Sequence, residues 1–376
     1  MEYRTMEKLG VSPSLLGFGC MRFPLNPDGT INQQEAEKML DTAIASGVTY
    51  IDTAYPYHNG DSEPFVGQVL KKYDRKSFFL ATKLPIWNVN TLDDAKRLFE
   101  EQLQRLQVDY VDFYLLHCLD KEKWQKTLDL GLLSYMEDMK KQGKIRFFGF
   151  SFHDDFDTFK TILTYRPWDF CQIQYNYVDT DIQAGDRGYE LAEELQIPMV
   201  IMEPVKGGSL ATLPSEVTNP FTEFNPNASI PSWALRWVAS KPNVKVVLSG
   251  MSDMEQVEDN VKTFSPFVPL SLKENELVAD VAGAIKSRTK NGCTGCAYCM
   301  PCPFGVNIPQ NFKIWNELSM YGNKAKAKQA YFKDLSEKER AEHCQKCGKC
   351  EEVCPQALSI RQNLEEASKE LLQLED

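Results

Sequence analysis

The feature that most constrains this chain is the alternation of short β-branched or aromatic runs with amphipathic stretches. Strand-like runs fall at residues 15–19, 49–51, 77–82, 110–116, 145–150, 170–174, 199–202 and 244–248. Helix-like stretches alternate with them at 33–45, 63–72, 92–106, 123–141, 155–163, 187–195, 229–239 and 254–264. Ahead of them, residues 3–8 and 11–16 predict a small hairpin around Leu9-Gly10. Eight strand–helix units in about 250 residues have the size and rhythm of a (β/α)8 TIM barrel, an α/β fold. An open doubly wound sheet would want a three-glycine phosphate turn after its first strand. Leu16-Gly17-Phe18-Gly19-Cys20-Met21 carries only two of those glycines, which favours the barrel.

A barrel concentrates its chemistry at the C-terminal ends of its strands. From the second strand onward, the residues at or just past those ends are Asp52, Lys83, His117, Ser151, Gln174, Glu203 and Ser249. Singly, each reads as a loop residue in water; together they would converge on one rim. Asp52, Tyr57, Lys83 and His117 make chemical sense as a set. A tyrosine, with a pKa of about 10, is a poor acid at neutral pH unless a cation stabilises its phenolate. A lysine can do that, a carboxylate can keep the lysine charged and aimed, and a histidine can polarise a carbonyl oxygen.

The segments GVTYIDTAYPYHNGDSEPFVGQVL, ATKL and DYVDFYLLH resemble the aldo-keto reductase family. The spacings from Asp52 to Tyr57, Lys83 and His117 (successive steps of 5, 26 and 34) fit that family's pattern. The likeness continues through GFSFH, QIQYNY, EPVKGG and the segment 249–260. It implies NAD(P)-dependent hydride transfer between a nicotinamide and a small carbonyl or alcohol substrate. Tyr57 would be the general acid in reduction and the base in oxidation, Lys83 would lower its pKa, Asp52 would pair with Lys83, and His117 would orient the carbonyl. Ser151 and Gln174 would hold the carboxamide, and Lys206-Gly207-Gly208 would lie near the pyrophosphate. The remaining cofactor positions implied are Cys20, Met21, Asp52, Met202, Glu203, Val205, Ser249, Gly250, Met251, Gln256 and Asn260. Three departures stand out. Met202 occupies a position where an aromatic ring often stacks on the nicotinamide, and Phe152-His153 follow Ser151 where asparagine is common. The segment 249–256 has no Lys or Arg for a 2′-phosphate and two acids, Asp253 and Glu255. The expectation is therefore NADH binding at least as good as NADPH.

Eight of the eleven cysteines lie between Cys293 and Cys354. Cys293, Cys296, Cys299 and Cys302 repeat at two-residue gaps and end in Cys-Pro. Cys344, Cys347, Cys350 and Cys354 follow, again ending in Cys-Pro. Paired CxxCxxC groups of this kind look like a ferredoxin-type module with two [4Fe–4S] clusters, and the Cys-Pro endings favour iron over zinc. The helix-forming spacer, at 311–320, 323–332 and 337–343, indicates an α-helical ferredoxin-like module. The gap after Cys299 is two residues rather than three, which leaves the partner set of Cys302 open. Cys20, Cys118 and Cys171 read as small core residues.

The expected organisation is a barrel over 1–270, a helical linker at 271–290, the cluster module at 291–362 and a helical tail at 363–376. A net charge of −11 argues against nucleic acid or an anionic membrane as partner. No apolar run approaches the roughly 20 residues that span a bilayer, and the charged start lacks a signal peptide's apolar stretch. A cytoplasmic oxidoreductase of an anaerobic or microaerobic cell is expected. A cubane passes one electron whereas hydride transfer moves two. A ferredoxin or other redox partner, and a bridging flavin, therefore enter as alternatives in which the clusters feed a substrate in the barrel, although no segment announces a flavin site. A catalytically silent electron-transfer scaffold is the third reading. The Pro-rich stretch 212–227 would be a rim loop that helps select substrate.

Overall fold

Parallel strands can pair only through long crossovers, and the helices between these strands supply them. A computed structural model of the chain describes residues Met1–Glu375; Asp376, the last residue of the expected tail, lies outside the described residues. Among the described residues, eight parallel strands close into a barrel in sequence order. They are β1 Leu16–Gly19, β2 Tyr50–Asp52, β3 Phe79–Leu84, β4 Val111–Leu119, β5 Ile145–Phe152, β6 Phe170–Gln174, β7 Met199–Met202 and β8 Val244–Gly250. β8 pairs back onto β1, with Phe18 opposite Ser249 and Gly19 opposite Gly250. The two strand ends that frame the expected cofactor segment are therefore neighbours.

Period-two alternation separates the faces of each strand. Tyr50, Ala81, Phe113, Leu115, Phe170, Val200, Val246 and Leu248 pack together as one buried cluster. Met6 joins them from the expected N-terminal hairpin, which is present as two antiparallel bridges, Tyr3 to Ser14 and Met6 to Val11. The alternate residues, Ile51, Leu80, Tyr114, Phe148 and Ile201 among them, pack into the larger core that the helices share. Local signals start the helices. Thr91 and Asp94 form a capping box before Leu92–Leu106, and Asp155 and Asp253 cap Phe156–Tyr165 and Met254–Phe264.

Some expected elements differ from the observed ones. The stretch 123–141 is two helices, Lys121–Asp129 and Leu132–Lys141, because Gly131 adopts a left-handed φ of 65° at the start of the second. The Pro-rich 212–227 contains a helix, Ser215–Phe224. Its Pro214 stands at the N-cap, where a missing N–H costs nothing, and Val217 and Phe221 are buried beneath it. The stretch 323–332 is helical only over Lys324–Gln329 before a π-turn, Ala330–Asp334. The stretch 337–343 is a pair of single 3-10 turns.

The chain forms two compact units, Met1–Gly207 with Pro231–Asn275, and Gly208–Ile230 with the chain from Glu276 on. The rim segment after β7 thus belongs to the cysteine-rich unit. There Arg288 pairs with Glu216 at 3.1 Å and Lys326 donates to Ser209 Oγ at 3.4 Å. That unit has its own core, built on Phe312, Trp315, Tyr331, Ile360, Leu364 and Leu371. The expected linker is helical over Leu272–Ser287 and the tail over Ile360–Leu372. Among the described residues no helix is long and apolar enough to cross a membrane.

Asp112, in β4, is fully buried and ties three elements together. Its carboxylate accepts the Leu80 N–H of β3 and pairs with Arg75 at 2.7 Å and Arg146 at 2.6 Å. Removing it orphans a strand N–H and two cations. Asp112→Ala should therefore lower barrel stability by about 3 kcal/mol, read as a drop in the urea midpoint; an unchanged midpoint would show that these bonds contribute nothing net.

Candidate active site and cysteine cavities

β2 ends at Asp52 and β3 carries Lys83, neighbouring strands that aim both side chains into the barrel mouth. Lys83 is 1% exposed, and an ammonium has three N–H donors to place. It donates to Asp52 Oδ1 at 2.6 Å, to the Thr53 carbonyl at 2.8 Å and to the Tyr57 hydroxyl at 3.3 Å. Burial alone would lower its pKa, but Asp52 and Tyr57 reverse that, and Lys83 is held above the usual lysine range. With Lys83 donating to the phenol oxygen, the Tyr57 O–H is left to point elsewhere. Tyr57 is presented by a turn in which His58 and Asn59 take left-handed φ values of 52° and 55°.

The Tyr57 phenol is pushed up by burial, and the Lys83 cation offsets only part of that rise. The lysine acts in the expected direction, but desolvation of the phenolate is the larger effect. Tyr57 therefore stays protonated at neutral pH.

His117 lies within β4 beside a bulge. Cys118 takes a φ of 58°, and the β4–β5 register shifts between Leu116 and Leu119. The extra residue turns the imidazole toward the mouth. Its ring sits edge-on to Tyr57 at 6.1 Å and 5.0 Å from Trp87. Burial drives its pKa well below the ordinary value, helped by the neighbouring Lys83, His153 and Lys123, so the imidazole is neutral. Nδ1 is buried without a hydrogen-bond partner among the described residues.

Of the expected cofactor positions, Ser151 and Gln174 lie at the rim on β5 and β6. The Ser151 hydroxyl accepts the Cys118 N–H at 2.8 Å, so its own proton is left to donate. Gln174 is engaged at both ends: its amide donates to Asp179 Oδ2 at 3.0 Å, and its carbonyl accepts from Gln183 at 3.2 Å. Asn260 donates to Ser249 Oγ at 2.9 Å, and Gln256 spans Ser252 N–H and Asp253 Oδ2 at the helix cap. Met21, Glu203, Gly207, Gly250 and Gln256 are exposed, while Met202 and Val205 are half-buried. Cys20 and Met251 are fully packed into the barrel's core, so their side chains are structural. Cys171 is buried as expected, but Cys118 is half-exposed rather than a core residue. Lys206 is turned onto the buried carboxylate of Asp179 at 2.5 Å and does not offer an uncompensated charge to a phosphate.

Sequence reading missed several residues. Asp179 gathers Gln174, Asn176 and Lys206. Gln102 donates to the Lys83 carbonyl at 3.0 Å and to Glu63 at 2.7 Å, with Tyr114 donating to its carbonyl at 2.6 Å, which braces β3 beneath the lysine. Glu63 follows the DS of the NGDSEP segment, and its position there was the one available hint. Nothing in the sequence distinguished Asp179 or Trp87.

In the second unit, Cys293, Cys296, Cys299 and Cys354 line one cavity, together with Ile308, Phe312 and Pro355. Cys299, Cys302, Cys344, Cys347 and Cys350 line another. No three His, Cys, Asp or Glu among the described residues converge closely enough to hold a single metal ion. Cysteine thiolates gathered around a cavity are the donor set that an iron–sulfur cluster takes.

Residues 15–282 match the aldo/keto reductase family and residues 292–358 match a 4Fe-4S dicluster domain. The chain belongs to the aldo/keto reductase family. It is 26% identical over 328 residues to the NADH-specific methylglyoxal reductase of Escherichia coli (strain K12), covering 75% of this chain and 96% of that one. It is likewise 26% identical over 301 residues to the L-galactose dehydrogenase of Arabidopsis thaliana, covering 74% and 92%. Among solved structures, the holo form of an aldo-keto reductase from Bacillus halodurans superposes with a TM-score of 0.63 at 25% identity, covering 75% of this chain and 96% of that one. The TIM barrel, the oxidoreductase class and the iron–sulfur module thus rest on both geometry and kinship.

For this aldo/keto reductase, the neutral imidazole gives a direct test. His117 should show no titration between pH 6 and 8 by nitrogen-15 imidazole spectroscopy, the folded pKa lying below that window. A midpoint near the ordinary histidine value of about 6.5 would contradict the burial argument.

Proposed function

We propose that the barrel reduces a small carbonyl, and oxidises the matching alcohol, with a nicotinamide dinucleotide. The observation that carries this reading is the Lys83 ammonium, which spends two protons on Asp52 and Thr53 and the third on the Tyr57 oxygen. When bound, the reduced nicotinamide would supply the hydride. Tyr57 donates its proton to the carbonyl oxygen, and Lys83 stabilises the phenolate that results. Neutral His117 donates a hydrogen bond to the same oxygen and orients it, with Trp87 forming a wall beside it. In the oxidative direction Tyr57 must first lose its proton, so a raised phenol pKa favours reduction at neutral pH.

For the cofactor, the Ser151 hydroxyl is available to the carboxamide, whereas Gln174 must share or exchange its present partners. The cation-free cap at Asp253 and Gln256 supports NADH binding at least as good as NADPH. The relative named an NADH-specific methylglyoxal reductase supports the same choice and points to small, reactive aldehydes as the substrate class.

For the cysteines, the reading is two [4Fe–4S] clusters with crossed ligands. Cys293, Cys296, Cys299 and Cys354 would hold one, and Cys302, Cys344, Cys347 and Cys350 the other. The support is that Cys354 lines the cavity of the first group and Cys302 that of the second. A redox partner such as a ferredoxin is the consequence of a one-electron module on the chain.

Two experiments check these readings. Tyr57→Phe should cut NADH-dependent aldehyde reduction by about 100-fold or more while leaving NADH affinity within about twofold, since only the proton donor is lost; turnover at the wild-type rate would mean the barrel does not run this chemistry. Protein purified without oxygen should carry about eight iron and eight sulfide per chain, and Cys354→Ser should perturb the same cluster as Cys293→Ser by paramagnetic resonance. Stoichiometric zinc, or Cys354→Ser perturbing the cluster that Cys347→Ser perturbs, would contradict the assignment.

A further inference from the structure

We propose that Arg22 grips the pyrophosphate of the dinucleotide, an inference that rests on the nicotinamide reading above. Arg22 lies three residues past β1, on the exposed surface of the barrel unit. Its stem lies on the end of β8: a Cβ built on Gly250 would stand 2.7 Å from Arg22 Cγ and 3.1 Å from its Cβ. Its guanidinium reaches the turn after β7, where a Cβ on Gly207 would stand 3.7 Å from Nη2. Arg22 thus bridges the two bare glycine positions that face each other across this part of the rim. Gly207 takes a left-handed φ of 60°, which a side chain would strain, and Gly250 has no room for a Cβ under the arginine stem. Two side-chain-free turns with a guanidinium between them are what a diphosphate needs, because backbone can approach it closely and a planar fork can hold two of its oxygens.

The rest of the rim leaves Arg22 as the available charge. Lys206, the cation expected here, is committed to Asp179. The stretch 249–256, at and after the end of β8, carries no Lys or Arg. None of the described carboxylates pairs with Arg22, so its guanidinium is not already neutralised. The backbone beneath it is fixed by Phe23, which is 2% exposed and packs against Phe18, His58 and Phe65 at ring distances of 5.9, 5.6 and 5.1 Å. A flexible side chain on an immobilised base loses little backbone entropy on binding. Because the guanidinium reaches the Gly207 turn, it addresses the diphosphate common to NADH and NADPH.

The test uses the intact protein with its clusters, handled without oxygen, and titrates NADH, NADPH and ADP-ribose into wild type, Arg22→Ala and Arg22→Lys. Arg22→Ala should weaken all three by one common factor of about tenfold or more at low salt, the loss shrinking as salt rises. Arg22→Lys should recover part of it, and cluster absorbance should stay unchanged. Wild-type affinity for all three ligands in Arg22→Ala would overturn the assignment. So would a loss confined to NADPH, which would move the contact to the 2′-phosphate. Wild type that binds none of the three would overturn the nicotinamide reading itself and this inference with it.

Discussion

The buried ion pair of Lys83 with Asp52 is the constraint around which the site is arranged. An ammonium at 1% exposure is tolerable only if every proton has an acceptor, and two fixed oxygens satisfy all but one. The last proton is directed at Tyr57, which settles which way the phenol's own hydrogen can point. The bracing beneath the lysine follows the same logic. Gln102 ties the Lys83 carbonyl to Glu63 and Tyr114, so the strand carrying the cation is held from behind. The pair also has an electrostatic consequence at a distance, since the charge on Lys83 helps keep His117 neutral. A neutral imidazole is suited to donating a hydrogen bond to a carbonyl without competing with Tyr57 as the proton source.

Much of this was legible in the sequence. All eight strands fell within a few residues of expectation, since period-two runs bounded by turns are local signals. The tetrad emerged because strand ends in a barrel are chemically informative positions. Misreadings came where tertiary context decides. Proline in 212–227 suggested a loop, yet Pro214 caps a helix whose apolar face is buried. The partner of Lys206 is likewise a matter of folding, which brings Asp179 from the β6 loop onto it. The sign of the Tyr57 shift needed the burial of the phenol, which no spacing encodes. Arg22 was invisible for a related reason. It is one arginine in a short loop until β1 and β8 pair and lay its stem over Gly250.

The cysteine module poses a different chemical problem from the barrel. Its thiols line two cavities in a pattern in which the last cysteine of each group faces the other group's set. Under the proposed crossed ligation the two halves of the module would be interdependent, neither cysteine group closing its site alone. The rim segment Gly208–Ile230, which leaves the barrel after β7, packs as part of this unit. A barrel loop that would ordinarily be free to vary with substrate is here built into the iron–sulfur body. A one-electron module and the proposed hydride-transfer site on one chain would need an intermediary to exchange electrons. The geometry of the tetrad is complete without one.

The central claim is that the barrel carries out its own two-electron chemistry, with Tyr57 as proton source. It is tested most directly by following the hydrogen. NADH deuterated at C4 of the nicotinamide, turned over with a small aldehyde in anaerobic protein, should place one deuterium on the carbinol carbon of the alcohol, with the hydroxyl proton drawn from solvent. Alcohol formed without deuterium at that carbon, under conditions where NADH itself does not exchange, would show that electrons reach the substrate by another route and would contradict the account.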